Sequence, residues 1–199
     1  MSKIHPTAQI YPNVIIGKNV EIGPYCVIGA PSEIKNGYPL ENLGVIIGDN
    51  TIITGHATID GGSIEPTVIG KNCFIMKSVH IGHDCHIEDN VVLSAHAVLA
   101  GHVRICEHSN IGIGSLFHQF SLIGGGSMIG MGSVVTKKSI VSPFSKMVGN
   151  PAKNIGENSY VINKMTTQEI EEINNNYLKN SLKGSFININ SNSNLNGNI

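Results

Sequence analysis

The stretch SVHIGHDCHIED, residues 78–89, sets three histidines three residues apart: His80, His83 and His86. Imidazoles titrate near neutrality and ligate transition metals, so the stretch suits a general base, a metal centre or a row of hydrogen-bonded buried rings. Further imidazoles follow at His102 and His118, and thiols stand at Cys26, Cys73, Cys85 and Cys106. No two of the cysteines form a C-x-x-C pair. Which of these groups can meet depends on the elements that carry them.

Those elements repeat every six residues. From Ile69 to Val141, each sixth residue is apolar, and four places after each, from Cys73 to Ser145, the residue is small. The same register runs from Ile4 to Ile28 and returns, shifted, at Ile47, Ile53 and Ile59. A period of six fits neither an amphipathic helix nor an alternating strand; it predicts a parallel β-helix of hexapeptides. The large apolar residue faces the core, the small one fills the slot beside it, and Gly or Asn turns the corner. Three hexads close a coil of 18 residues, so residues 18 apart lie one rung, about 4.8 Å, apart. About seven coils are expected over residues 1–156, an all-β solenoid. The repeat breaks at about 31–46 and 60–68, and loops that interrupt a stack are where ligand contacts are expected.

The chain composition agrees with one domain built on small and β-branched residues: 199 residues, 23 glycines, no tryptophan and 5% aromatics. A net charge of −1 gives no reason to expect nucleic acid or an anionic membrane as partner. The first residues, MSKIHPTAQIYP, hold no apolar core of a signal peptide, and no run of about 18 apolar residues occurs. A cytoplasmic protein with reduced thiols is the expectation. Cys73 and Cys85 fall in the small core slot and read as compact hydrophobes.

Past MVGNPAKNIG (147–156), where Pro151 removes a ladder donor, TTQEIEEINNNYLKNSLK reads as a helix within a segment 157–184. Thr166 and Glu169 have capping-box spacing, and Ile170, Ile173 and Tyr177 share a face. The Asn-rich residues 185–199 carry too little apolar mass to fold alone and are expected to be disordered.

In the coil register, Ile81, Leu99 and Phe117 stack, which puts His83, His102 and His118 near one edge on three successive rungs. His80 and His86 end neighbouring hexads, one face apart, and do not converge with His83 on one ion. A metal reading therefore loses ground to corner residues bonded to nearby backbone, and the density of histidines on one edge favours a site.

The segments IHPTA (4–8), IGPYCVIG (22–29), SVHIGHDCHI (78–87), VLAGHV (98–103), FHQF (117–120) and GN (149–150) resemble the hexapeptide-repeat acyltransferases. The resemblance is strongest to the UDP-N-acetylglucosamine 3-O-acyltransferases of lipid A biosynthesis. It implies a left-handed parallel β-helix with a short C-terminal helix, assembled as a homotrimer with active sites between subunits. It implies an enzyme with no bound cofactor and no metal, moving a short (3-hydroxy)acyl group from an acyl-carrier-protein thioester to the 3-hydroxyl of the nucleotide sugar. His83 would be the general base, Asp84 would orient its ring, and the Gly101 N–H would stabilise the oxyanion. His80, His102, His118 and Gln119 would contact substrate. Glu33, Lys35 and Lys164 fall near an acid, a lysine and a basic pair that grip the nucleotide sugar. Met131 stands where the family limits acyl length; a methionine there implies a short chain.

The sequence also departs from that pattern. The chain is shorter, the basic pair is reduced to Asn163-Lys164, and VGNPAK (148–153) resembles coenzyme A-using members, which makes Lys153 a donor-binding candidate. A coenzyme A-dependent N-acyltransferase on a nucleotide-linked amino sugar, for surface glycan synthesis, is the second expectation. A zinc-binding hexapeptide helix of the carbonic-anhydrase type and a ligand-free scaffold remain as other classes.

Overall fold

The structure is a computed structural model and describes residues 1–34 and 42–184; Lys35 and the Asn-rich stretch 185–199 lie outside them. The six-residue period becomes three parallel sheets wound as a left-handed parallel β-helix. The first face runs from strand Lys3–Ile4 to Ser145–Val148 and gains one more strand, giving nine. The second runs from Gln9–Ile10 to Val134–Val135 and the third from Val14–Ile16 to Ile140–Val141, with seven strands each. Ladder partners are 18 residues apart: His80 pairs Val98, and Leu99 pairs Phe117.

Each strand is two to four residues long on most rungs, because the chain must turn at every hexad. Its inward residue is fully buried, as at Ile69, Ile75, Ile81, Ile87, Leu93 and Leu99. Removing water from each such side chain stabilises the stack by about 1.5–3 kcal/mol. The small slot has a second task. Ser109 Oγ donates to Gly124 O at 3.2 Å and Ser127 Oγ to Ser142 O at 3.1 Å, each at the same edge on the next coil. Cys73 Sγ and Cys85 Sγ make the same reach, both at 3.1 Å, to Glu88 O and Ala100 O. All four cysteines are free thiols, and burial pushes Cys73 up to about 11, so these are packing residues and not nucleophiles.

The corners use left-handed backbone. Between the third and first faces stand Asn19, Asn50, Asn72 and Asn90, with φ between 54° and 59°. Asn tolerates that conformation, and its amide bonds the next rung: Asn19 to Asn50 at 3.3 Å, Asn50 to Asn72 at 3.2 Å. Between the second and third faces the corresponding residues are Asp84, His102, Phe120 and Lys138, with φ of 58–63°.

Both breaks in the repeat fall on this second-to-third edge. Val27 pairs Thr58, a step of 31 in place of 18, and Val45 pairs Thr67, a step of 22. The extra chain lies between strands Val27–Ala30 and Val45–Ile47, and between Thr58–Asp60 and Thr67–Ile69. The periodicity therefore marks one edge of the prism as elaborated.

The far end closes with a strand of its own. The chain after Pro151 does not leave the fold; strand Lys153–Glu157 folds back antiparallel on Ser145–Val148 and extends the first sheet. A short helix, α1 (Ser159–Ile162), precedes α2 (Thr167–Gly184). The capping box forms: Thr166 N donates to Glu169 Oε2 at 2.7 Å, and Glu169 N to Thr166 Oγ1 at 3.2 Å. Ile173, only 3% exposed, fits over Gly125 on the third-to-first edge, where a Cβ would stand 2.7 Å from its Cγ2. Among the described residues no helix is long and apolar enough to cross a membrane.

Candidate active site

The corner after strand His80–Ile81 carries His83 and Asp84. Asp84 has no exposed side-chain surface, and its carboxylate accepts five hydrogen bonds. Oδ1 takes the backbone N–H groups of Ser63, Ile64 and Glu65 at 2.9, 2.8 and 2.9 Å. Oδ2 takes Ser63 Oγ and His83 Nδ1, both at 2.6 Å. The donors from the chain belong to the second insertion, which wraps over the corner to supply them. Burial opposes the charge on Asp84. The bonds from His83, Ser63, Glu65 and Ile64 outweigh it and hold the carboxyl well below the usual carboxylate range.

An ionised carboxylate can only accept, so neutral His83 must donate from Nδ1. Its proton-free nitrogen is then Nε2, on the side of Gly101. A Cβ on Gly101 would stand 2.6 Å from both His83 Nε2 and Cε1. The glycine is therefore required by the ring lying over it. Among the described residues the Gly101 N–H finds no acceptor, which leaves a donor beside the base.

One rung on, His102 N donates to His83 O at 2.9 Å and Nε2 stands 3.7 Å from Asp84 Oδ2. Its ring meets His83 edge-on at 5.0 Å and stacks on Phe120 at 4.7 Å. Burial pushes the His102 imidazole below its usual value, helped by His83 and opposed by Asp84 and Glu65. A neutral ring at this place competes little with His83 for the Asp84 charge.

Spacing by rung puts His83, His102 and His118 on one edge, each at a different place within its turn. Asp84, His102 and Phe120 share the left-handed corner position, 18 residues apart; His118 lies two before it and is exposed, as is Gln119. It is Phe120, held at φ 63°, that completes the stack. Bulky residues rarely adopt such a φ, and the stacking on His102 supports it there.

His80 reaches the strand before its own: Thr58 Oγ1 and His80 Nδ1 lie 2.8 Å apart, and His80 Nε2 is 4.0 Å from Asp60 Oδ2. Glu33 is exposed and acts electrostatically on Asp60. Asp60, Ser63 and Phe120 were not singled out by the sequence; the break beginning at residue 60 and the step 84, 102, 120 were the available signals. The remaining candidates are not brought to His83 within one chain. Met131 is 74% exposed at the corner after the first face, Lys153 is exposed on the closing strand, and Lys164 bonds Tyr160 on α1.

Among the described residues two groups bring three possible metal ligands within 4.8 Å: His83, Asp84 and His102, and Glu88, Cys106 and Glu107. In the first, both Asp84 oxygens already accept hydrogen bonds and His83 Nδ1 is spent as a donor, which is the arrangement of an oriented base. In the second, Asn180 Nδ2 donates to Glu88 Oε1 at 2.7 Å and Asn176 Nδ2 to Glu107 Oε1 at 3.1 Å, so the acids fasten α2 to the β-helix.

The bacterial transferase hexapeptide repeat (six repeats) matches residues 1–36 and 66–101. Curated relatives include acyl-[acyl-carrier-protein]–UDP-N-acetylglucosamine O-acyltransferases. That of Rickettsia canadensis is 34% identical over 42% of this chain and 46% of its own length. That of Campylobacter lari is 38% identical over 43% of this chain and 47% of its own. The chain thus spans about half the length of the curated relatives it matches. Among solved structures, the UDP-N-acetylglucosamine acyltransferase of Francisella novicida superposes with a TM-score of 0.68, at 29% identity, over 88% of this chain and 76% of that one.

Proposed function

We propose that this hexapeptide-repeat chain is an acyltransferase that moves a short 3-hydroxyacyl group from acyl carrier protein to the 3-hydroxyl of UDP-N-acetylglucosamine. The observation that carries the reading is the His83–Asp84 couple, with Nε2 free beside Gly101. Similarity to the O-acyltransferases named above supports the donor and the acceptor.

In this mechanism His83 Nε2 takes the proton of the sugar hydroxyl as its oxygen attacks the thioester carbonyl. Ionised Asp84 stabilises the imidazolium that forms, and the Gly101 N–H receives the developing oxyanion. The tetrahedral adduct collapses, the carbon–sulfur bond breaks, and the leaving thiolate recovers the proton from His83. Glu33, His80, His102, His118, Gln119, Lys35, Lys153 and Lys164 would hold the two cosubstrates. Those that do not meet within one chain would be supplied across the clefts of a homotrimer, where Met131 would limit the acyl chain. Four buried free thiols accord with a cytoplasmic setting.

The second reading, N-acylation of a nucleotide-linked amino sugar from coenzyme A, draws on the exposed Lys153 of the VGNPAK hairpin. One competition assay separates them. The protein receives UDP-N-acetylglucosamine and a nucleotide-linked amino sugar together, with short acyl groups on both carrier protein and coenzyme A, and products are read by mass spectrometry. Acylated UDP-N-acetylglucosamine drawn from the carrier protein is expected. A product on the amino sugar from coenzyme A would overturn the first reading in favour of the second.

A further inference from the structure

The site edge holds two carboxylates in opposite conditions. Asp84 is saturated with donors. Asp60, a rung earlier, receives none among the described residues. Strand Thr58–Asp60 turns Thr58 and Asp60 to the same outward side, since alternate residues of a strand share a face. Thr58 pairs with His80 across the ladder and engages its Nδ1, which leaves Nε2 towards Asp60. The 4.0 Å separation there is beyond a hydrogen bond. Among the described residues no group donates to the Asp60 carboxylate, although its side chain is only 12% exposed.

The surroundings do not relieve that carboxylate. Burial pushes the Asp60 carboxyl up, His80 and His83 pull it back, and the like charge of Glu33 pushes it up again. A nearly buried carboxylate without donors is costly and calls for a reason, of which a binding role is one. Strand Thr58–Asp60 pairs with His80–Ile81, so Asp60 stands one rung from the corner that carries His83. A sugar held with one hydroxyl at His83 presents its other hydroxyls, which are hydrogen-bond donors, to the groups around it.

We infer that Asp60 selects the acceptor, its carboxylate receiving a hydrogen bond from a hydroxyl of the sugar other than the one acylated. The substrate class this implies is a sugar with a second free hydroxyl besides the reacting one, and Asp60 sets its angle towards His83. The inference rests on the acceptor proposed above and names the residue that recognises it.

The test uses the full chain, acyl carrier protein thioester and three acceptors: UDP-N-acetylglucosamine and its 4-deoxy and 6-deoxy analogues. The wild type is expected to lose about 10- to 100-fold in kcat/KM on one of the two analogues, the worth of a hydrogen bond to a charged group. Asp60→Ala is expected to lose a similar factor on the intact acceptor, mainly through KM, and to show no further loss on that analogue. Asp60→Asn, which keeps an acceptor oxygen, is expected to recover part of the loss. A merely structural role would weaken all three acceptors alike. Unaltered discrimination in Asp60→Ala would overturn the inference while leaving the acyltransferase reading intact. A wild type that transfers nothing to UDP-N-acetylglucosamine would remove the acceptor and this inference together.

Discussion

Two edges of the prism share a backbone and differ in what they do with it. On the third-to-first edge the left-handed positions begin as Asn19, Asn50, Asn72 and Asn90 and continue as His108, Gly126 and Phe144; the first three asparagines bond one another up the stack, and Asn90 Nδ2 lies 3.4 Å from His108 Nε2. On the second-to-third edge the same conformation presents Asp84, His102 and Phe120. The first set pairs mostly with itself, side chain to side chain along the edge. The second replaces an amide by a carboxylate, clamps it with an inserted loop, and spends its last valence on an imidazole. Left-handed corners require only side chains that tolerate positive φ, so the fold places no chemistry on them; chemistry is added where the repeat is broken.

Asp84 and Glu88, one buried acid from each edge, are also treated differently. Beneath α2, burial and the neighbouring Glu107 push Glu88 up to about 7, whereas Asp84 is driven the other way by its donors. One acid is kept for its charge, the other tolerates it.

The largest expected effect that would break this contrast is at His83. His83→Ala should lower kcat about 10²–10⁴-fold with an unchanged circular dichroism spectrum, because the ring contributes proton transfer and not core packing. Next, Gly101→Ala needs no unusual backbone, yet its Cβ meets the His83 ring at 2.6 Å. It should cost about 10- to 100-fold in kcat, as a displaced base does, and steady-state kinetics against the wild type checks it.

On the other edge the effects move to stability. The folded pKa of Glu88 lies above its ordinary 4.5, so the folded state favours the protonated acid and stability falls as pH rises from about 4.5 to 7. Glu88→Gln should remove that fall and melt higher than the wild type at pH 8, with kcat unchanged; thermal melts across pH 4–8 read it. The smallest effect belongs to Asn72→Ala, which breaks one rung of the amide ladder at φ 54°. About 1–2 kcal/mol of stability should go, by urea unfolding, with no change in transfer rate. An equal loss of activity there would erase the distinction between the edges.

The coil itself was legible because three hexads close a turn of eighteen residues: Ile81, Leu99 and Phe117 had to stack, and they do, while the left hand was legible only from the family resemblance. The helix was legible from the spacing of Thr166 and Glu169. The antiparallel return of Lys153–Glu157 was not, since a single strand pairing across a tight turn leaves no period to read. In the site, spacing identified the edge, but not that Phe120 would stack on His102 there. The clamp on Asp84 was hidden for a related reason. Its donors are backbone N–H groups of residues 63–65, and those carry no side-chain signature. Asp60 became visible only when strand pairing set it beside His80.

The account depends most on Asp84 fixing His83 with Nδ1 protonated and Nε2 free. Long-range ¹H–¹⁵N spectra of the imidazoles at pH 8, assigned with His83→Ala and repeated in Asp84→Asn, measure this directly. The expected result is a His83 ring protonated at Nδ1 in the wild type and a mixture of tautomers once the carboxylate is gone. A ring protonated at Nε2 in the wild type would contradict it, because the nitrogen beside Gly101 would then hold a proton and could not take one.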